Sequence, residues 1–93
     1  MNAGAKGARL ERRCRRILEE AGYLVVRAAG SRGVIDLVAI GPTSIRAIQV
    51  KAGSARLSAV EREVLRSLTV PSNCSRECWT FIDRCASPLI ERL

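Results

Sequence analysis

The chain has 93 residues, a net charge of +7, and 47% hydrophobic against 27% charged side chains. That length admits one small domain, residues 1–93, and the apolar content implies a folded core rather than disorder. No apolar stretch is long enough for a secretory signal or a membrane span, so a cytoplasmic, intracellular protein with reduced thiols is expected. Only three residues are aromatic, Tyr23, Trp79 and Phe81, so the core must be aliphatic. A chain this short often gains burial by pairing with a second copy.

The charge is uneven. Residues 1–32 carry eight basic and three acidic side chains (+5), and residues 33–93 carry eight and six (+2). Fourteen of the sixteen basic residues are Arg, whose guanidinium forks onto phosphate oxygens. Arg-rich codon usage explains the ratio equally well, but not the clustering. A basic surplus in one third of the chain points to a polyanion, nucleic acid first.

Residues 5–22 read as a helix. Leu10, Cys14, Ile17, Leu18 and Ala21 form one apolar face. Arg9, Arg12, Arg13 and Arg16 fall opposite, and Gly22 is a stop. Arg16 and Glu20 fit a solvated i, i+4 pair. Arg9, Arg12 and Arg13 have no such acid ahead of them, which favours phosphate contact. "YLVVRAAG" reads as a strand, residues 30–33 as a loop, and "VIDLVAI" as a second strand. "GPTS" is a turn and "IRAIQVK" a third strand, so the last two strands form an antiparallel hairpin. Ser58 with Glu61 is a capping-box pattern opening a second helix near 59–68, whose buried stripe is Val60, Val64, Leu65 and Leu68. "CWTFIDR" reads as a fourth strand with Trp79, Phe81 and Asp83 on one face. "SPLIERL" is a short edge strand. The order α-β-β-β-α-β(-β) is an α/β layer of helices on a mixed sheet.

Three polar residues interrupt the apolar strands. Gln49 and Lys51, two apart, share a face, and Asp36 in the partner strand can meet them across the ladder. A lone buried carboxylate is costly, and a cation or the Lys ammonium would offset that cost. Mg²⁺, or Mn²⁺ in its place, takes oxygen ligands of this kind and can polarise a phosphodiester and help generate the attacking hydroxide. Lys51 would orient or deprotonate the water, or neutralise charge on the phosphate. Glu11, at the border of the apolar face of the first helix, could supply a second carboxylate. The candidate metal set is Glu11, Asp36, Gln49 and Val50.

"GVIDLVAI" with "RAIQVK" resembles the core of the PD-(D/E)xK nuclease superfamily. "GARLERRCRRILEEAGYLVVRAAGSRGVIDLVAI" resembles the N-terminal part of the archaeal-type Holliday junction resolvases, with its Gly-x-x-x-Glu-Arg start, Gly-aromatic-x-Val-x-Arg strand, Ala-Gly-Ser loop and Asp-Leu-Val-Ala strand. The match covers roughly residues 4–51, about half the chain. The resemblance implies a small restriction-endonuclease-like fold and a homodimeric endonuclease that cuts four-way DNA junctions. It implies a catalytic set of Glu11, Asp36, Gln49 and Lys51. It also matches Arg12, Arg27 and Ser31 to family positions; with Arg9, Arg13, Arg16 and Arg32 these form the expected DNA-binding set. The family's usual second-strand Glu is Gln49 here. Its amide oxygen can still coordinate metal but brings no charge. Two rivals remain open: a nuclease of the same fold for flaps, nicks or duplex, and a DNA-binding module that has lost catalysis.

Cys74, Cys78, Cys85 and Cys14 do not have zinc spacing, and the chain lacks His. They are expected to act as small hydrophobes. Trp79 and Phe81 are expected in core or interface packing rather than base stacking.

Overall fold

The computed structural model describes residues 3–28, 33–53 and 55–93. The elements are α1 (Ala3–Glu20), β1 (Leu24–Arg27), β2 (Leu37–Ile40), β3 (Ile45–Ala52), α2 (Ala59–Arg66), β4 (Cys74–Phe81) and β5 (Leu89–Arg92), in the expected order. They build one five-stranded sheet, β1-β2-β3-β4-β5. Every neighbouring pair is antiparallel except β3 and β4. That parallel pair needs a crossover, and α2 lies on it.

The hairpin expected around "GPTS" is present, with Leu37 opposite Ile48 and Ile40 opposite Ile45. The Gly41 amide closes its turn on the Ser44 carbonyl at 2.8 Å. A Cβ on Gly41 would stand 2.9 Å from the Tyr23 ring, so the close approach requires glycine. Gly22 ends α1 with φ +97°. The Tyr23 amide bonds the Leu18 carbonyl and the Gly22 amide that of Glu19, a Schellman closure that turns the chain into β1.

Leu10, Cys14 and Leu18 of α1 pack on Val25, Leu37, Ala39, Ile48, Trp79 and Phe81, all from one sheet face. The helix ends at Glu20, however, and Ala21 is exposed, because the Schellman turn lifts it off the sheet.

Several strand boundaries also differ from the sequence reading. β1 stops at Arg27, and Ala29 to Arg32 lie outside the described residues. β2 starts at Leu37, although Asp36 keeps ladder bonds on both sides: its amide donates to the Ile48 carbonyl, and its carbonyl accepts from Ala28. β4 starts four residues earlier than expected and ends at Phe81, leaving Asp83 exposed beyond it, while Trp79 and Phe81 do share the core face. The cause is Glu77, fully buried and held by the Arg46 guanidinium at 2.7 Å from the adjacent strand. Ser75 and the Trp79 indole, the latter at 2.9 Å, also donate to Glu77. Arg46 itself lies over the Tyr23 and Trp79 rings. A polar stretch therefore pairs as a strand because its carboxylate is fully hydrogen-bonded.

The stripe expected on α2 is the second correction. Only Leu65 is buried; Val60 is 73% and Val64 44% exposed, and Leu68 is half-buried. Eight residues make two turns, and α2 is held to the sheet by Leu65 and by Glu61 and Arg62, which reach Lys51 and Glu91. Lys51 alternates with Val50, which packs in the α1 cluster, so α2 sits on the opposite sheet face.

Candidate nuclease site

Asp36 stands just before β2, one step past the Leu37–Ile48 pair and so opposite Gln49 of β3. Its Oδ2 accepts the Val50 amide at 2.8 Å and the Gln49 Nε2 at 3.2 Å. The structure thus brings Asp36 and Gln49 together, as alternation across the hairpin predicts. Burial pushes the Asp36 carboxyl above its ordinary value, the Val50 amide pulls it back, and the Glu11 carboxylate raises it further; Lys51 and Arg27 pull it down. Glu11, Lys51 and Arg27 thus act on Asp36 through their charge, and Gln49 through a hydrogen bond.

Gln49 is 8% exposed, and its Oε1 is buried without a hydrogen-bond partner. An orphaned buried acceptor costs about 1–3 kcal/mol, so it marks a place where a donor or a cation belongs. A hard cation takes amide and carboxylate oxygens; it is the Gln49 Nε2 that faces the Asp36 carboxyl, so turning the amide end for end would bring its unpaired Oε1 beside that carboxyl. Among the described residues no three His, Cys, Asp or Glu side chains form a ready-made metal cluster. Any cation held there would therefore have to draw on the amide oxygen of Gln49.

Lys51 shares the Gln49 face, but its ammonium is not on Asp36. It donates to Glu61 Oε2 at 2.9 Å. The other Glu61 oxygen accepts the Ser58 amide at 3.0 Å, completing the capping box of α2. The Lys51 bond and the Ser58 amide lower the Glu61 carboxyl. Glu61 is the site neighbour that sequence reasoning missed. Its signal was present, since Glu61 and Leu65 are four apart and share the helix face turned to the sheet.

Glu11 lies at the edge of the α1 apolar face as expected, and its Oε1 accepts from Arg27 Nε at 3.1 Å. Glu11, Arg12, Arg15, Arg27 and Leu37 line a cleft of about 240 Å³ beside it. Of the other expected DNA-binding residues, Arg9, Arg12 and Arg16 are exposed on α1. The i, i+4 pair on this helix is Arg15 with Glu19 at 3.0 Å, not Arg16 with Glu20. Arg13 is half-buried: its NH2 group donates to the carbonyls of Cys85 (3.2 Å) and Ala86 (2.8 Å), and it stacks on Phe81. Ser31 and Arg32 lie outside the described residues. Cys14 and Cys78 are buried; burial pushes the Cys14 thiol up to about 12.

The fold is a mixed α/β sheet with an acid and an amide in contact at the end of its central hairpin and a lysine on the same strand as the amide. The chain belongs to the archaeal Holliday junction resolvase (Hjc) family, whose family model matches residues 2–78. Membership places it among nucleases of DNA recombination. Among solved structures, that of Hjc from the archaeal hyperthermophile Archaeoglobus fulgidus, a Holliday junction resolvase, is similar with a TM-score of 0.77 and 29% identity. The alignment covers 94% of this chain and 72% of that one. Comparison with curated proteins gives no match. No described helix is long and apolar enough to cross a membrane.

Proposed function

We propose that this chain is a structure-selective DNA endonuclease that resolves four-way junctions by phosphodiester hydrolysis, with Mg²⁺ as cofactor and Mn²⁺ as its substitute. The observation that carries the reading is the buried, unsatisfied Oε1 of Gln49, a residue whose amide nitrogen bonds the Asp36 carboxyl. Asp36 and Gln49 would hold the cation, with Glu11 and the Val50 main chain completing its surroundings. When bound, such an ion polarises the phosphodiester and makes a water more acidic.

The chain's own groups do the rest. The Lys51 ammonium, fixed by Glu61, offsets negative charge that builds on the phosphate. Arg9, Arg12, Arg16 and Arg27 position the DNA backbone by phosphate contact, together with Ser31 and Arg32. Arg13 anchors α1 to the turn after β4 and supports them. A four-way junction is cut twice, which requires two sites and hence a homodimer. Supporting this, Leu24, Val26 and Ile40 are exposed together on the sheet face that α2 leaves uncovered.

The test is cleavage of a labelled four-way junction, beside linear duplex, in Mg²⁺, Mn²⁺ and EDTA. Paired cuts in the junction alone, only with metal, are expected; equal cutting of duplex refutes junction selectivity. A second reading, a junction binder that does not cut, is favoured by Gln49 donating to Asp36 in place of a second carboxylate. Salt-sensitive binding without cuts under any metal would establish it.

A further inference from the structure

Two clefts flank α1. Glu11, Arg12 and Arg27 line the first, on the β1–β2 side. Lys6, Arg9, Arg13, Phe81, Asp83 and Arg84 line the second, about 250 Å³ in volume, on the β4 side. The sheet order places β3 between the two flanks, so the second cleft is separate from the site at Asp36.

The second cleft has four cations against one carboxylate, Asp83. Among the described residues, Lys6, Arg9 and Arg84 enter no ion pair. Arg84 is also the non-glycine residue found at positive φ, +68°. That conformation is unfavourable for a residue bearing a Cβ, and Gly or Asn would occupy it at lower cost. The turn is nevertheless pinned, because Arg13 from α1 donates to the carbonyls of Cys85 and Ala86 immediately after Arg84. Arg13 in turn lies 5.1 Å above the Phe81 ring. The turn is thus fastened to the helix in a way that keeps a strained Arg beside Lys6 and Arg9. Unpaired cations held close together repel one another, and an anion that bridges them removes that cost.

We infer that this cleft is a second phosphate subsite, which takes a DNA backbone phosphate on the flank of α1 away from the bond to be cut. Lys6, Arg9 and Arg84 contact the phosphate, and Arg13 is the positioning residue that fixes the turn. The inference rests on the reading of the chain as a junction-binding protein, and adds Lys6 and Arg84, gathered with Arg9 in one cleft, to the phosphate contacts which that reading names.

The experiment is fluorescence anisotropy of a labelled four-way junction in EDTA across a salt series, for the wild type, Arg84→Gly, and Arg9→Glu with Arg84→Glu. Losing one phosphate contact should flatten the slope of log K against log salt by about 0.9, which is about five-fold in affinity at 0.15 M salt. Arg84→Gly should show that loss with an unchanged or raised Tm, since glycine accepts the positive φ. Restoring the charge with Arg84→Lys should return the slope. The double variant should lose two contacts' worth of slope. An unchanged slope in Arg84→Gly overturns the subsite. Wild-type protein that binds no junction at all is a different result, and overturns the functional reading and the subsite together.

Discussion

Replacing Gln49 by Glu tests the site through stability before any DNA is added. The Gln49 amide nitrogen is 3.2 Å from Asp36 Oδ2. Two carboxylates at that separation repel by about 5 kcal/mol at an effective dielectric of about 20. Protonating one of them limits the damage, since holding a carboxyl with a pKa near 4 neutral at pH 7 costs about 4 kcal/mol. Asp36 is half-buried, so solvent screening and side-chain adjustment bring the net effect to about 2 kcal/mol. For a domain of this size that is a Tm lower by about 10 °C. Thermal unfolding followed by circular dichroism at pH 7 in EDTA reads it directly. Mg²⁺ should restore most of the loss, and should stabilise Gln49→Glu more than the wild type, because a cation that binds only the folded state adds stability by mass action. The pH dependence has a definite sign. Burial already raises Asp36 above its ordinary value, so its ionisation opposes folding above that value and the penalty disappears once it is protonated. The deficit of Gln49→Glu should therefore shrink as pH falls from 7 towards 4. A Tm equal to wild type in EDTA, with no larger gain from Mg²⁺, would refute the facing of Gln49 on Asp36 and the cation site with it.

Asp36→Asn should reduce junction cleavage by at least about a hundredfold, the scale expected for losing a group that stabilises charge in the transition state, while binding measured by gel shift stays within a few-fold; surviving cleavage would remove Asp36 from the site. Glu77→Gln should destabilise by about 3 kcal/mol, since it leaves the half-buried Arg46 without its counter-charge. Its partners hold Glu77 below the ordinary carboxylate range, so the wild type's advantage over Glu77→Gln is present above that range and lost as pH falls through it; urea melts at pH 7 and pH 3 check both. Val26→Glu should convert a dimer to monomer by light scattering without loss of secondary structure, and a dimer that persists would move the interface elsewhere.

The local signals are legible in the sequence. Gly22 stops α1, Ser58 and Glu61 cap α2, and "GPTS" turns the hairpin, because each depends on a few adjacent residues. The Asp36–Gln49 contact was legible too, since strand alternation fixes which residues face each other across a short turn. The start of β4 was not. "CSRE" looks like a loop until Arg46 supplies the charge that lets Glu77 be buried, and that partner is 31 residues away. The exposure of Val60 and Val64 was hidden for a related reason. Periodicity names an apolar stripe, but how much of it is covered depends on how the helix is seated, and here ion pairs to Lys51 and Glu91 help to seat it.

The same ion pair bears on what Gln49 costs the site. A second carboxylate at position 49 would give a cation more charge, yet it would face a neighbour already raised by burial and by Glu11. Gln49 instead donates one hydrogen bond to Asp36 and leaves its oxygen unused, so the apo site carries no second charge. The consequence, on the reading proposed above, is a division of labour. Metal affinity falls because one ligand is neutral, and the stability of the empty site rises for the same reason. Lys51 cannot supply the missing balance by pairing with Asp36, because Glu61 already holds its ammonium at 2.9 Å. Breaking that hold with Glu61→Ala should therefore release Lys51 towards Asp36, strengthen the pairing the cation must compete with, and weaken Mg²⁺ binding. Calorimetric titration of Mg²⁺ into both proteins decides it: unchanged affinity in Glu61→Ala would show that Lys51 and the cation do not share Asp36.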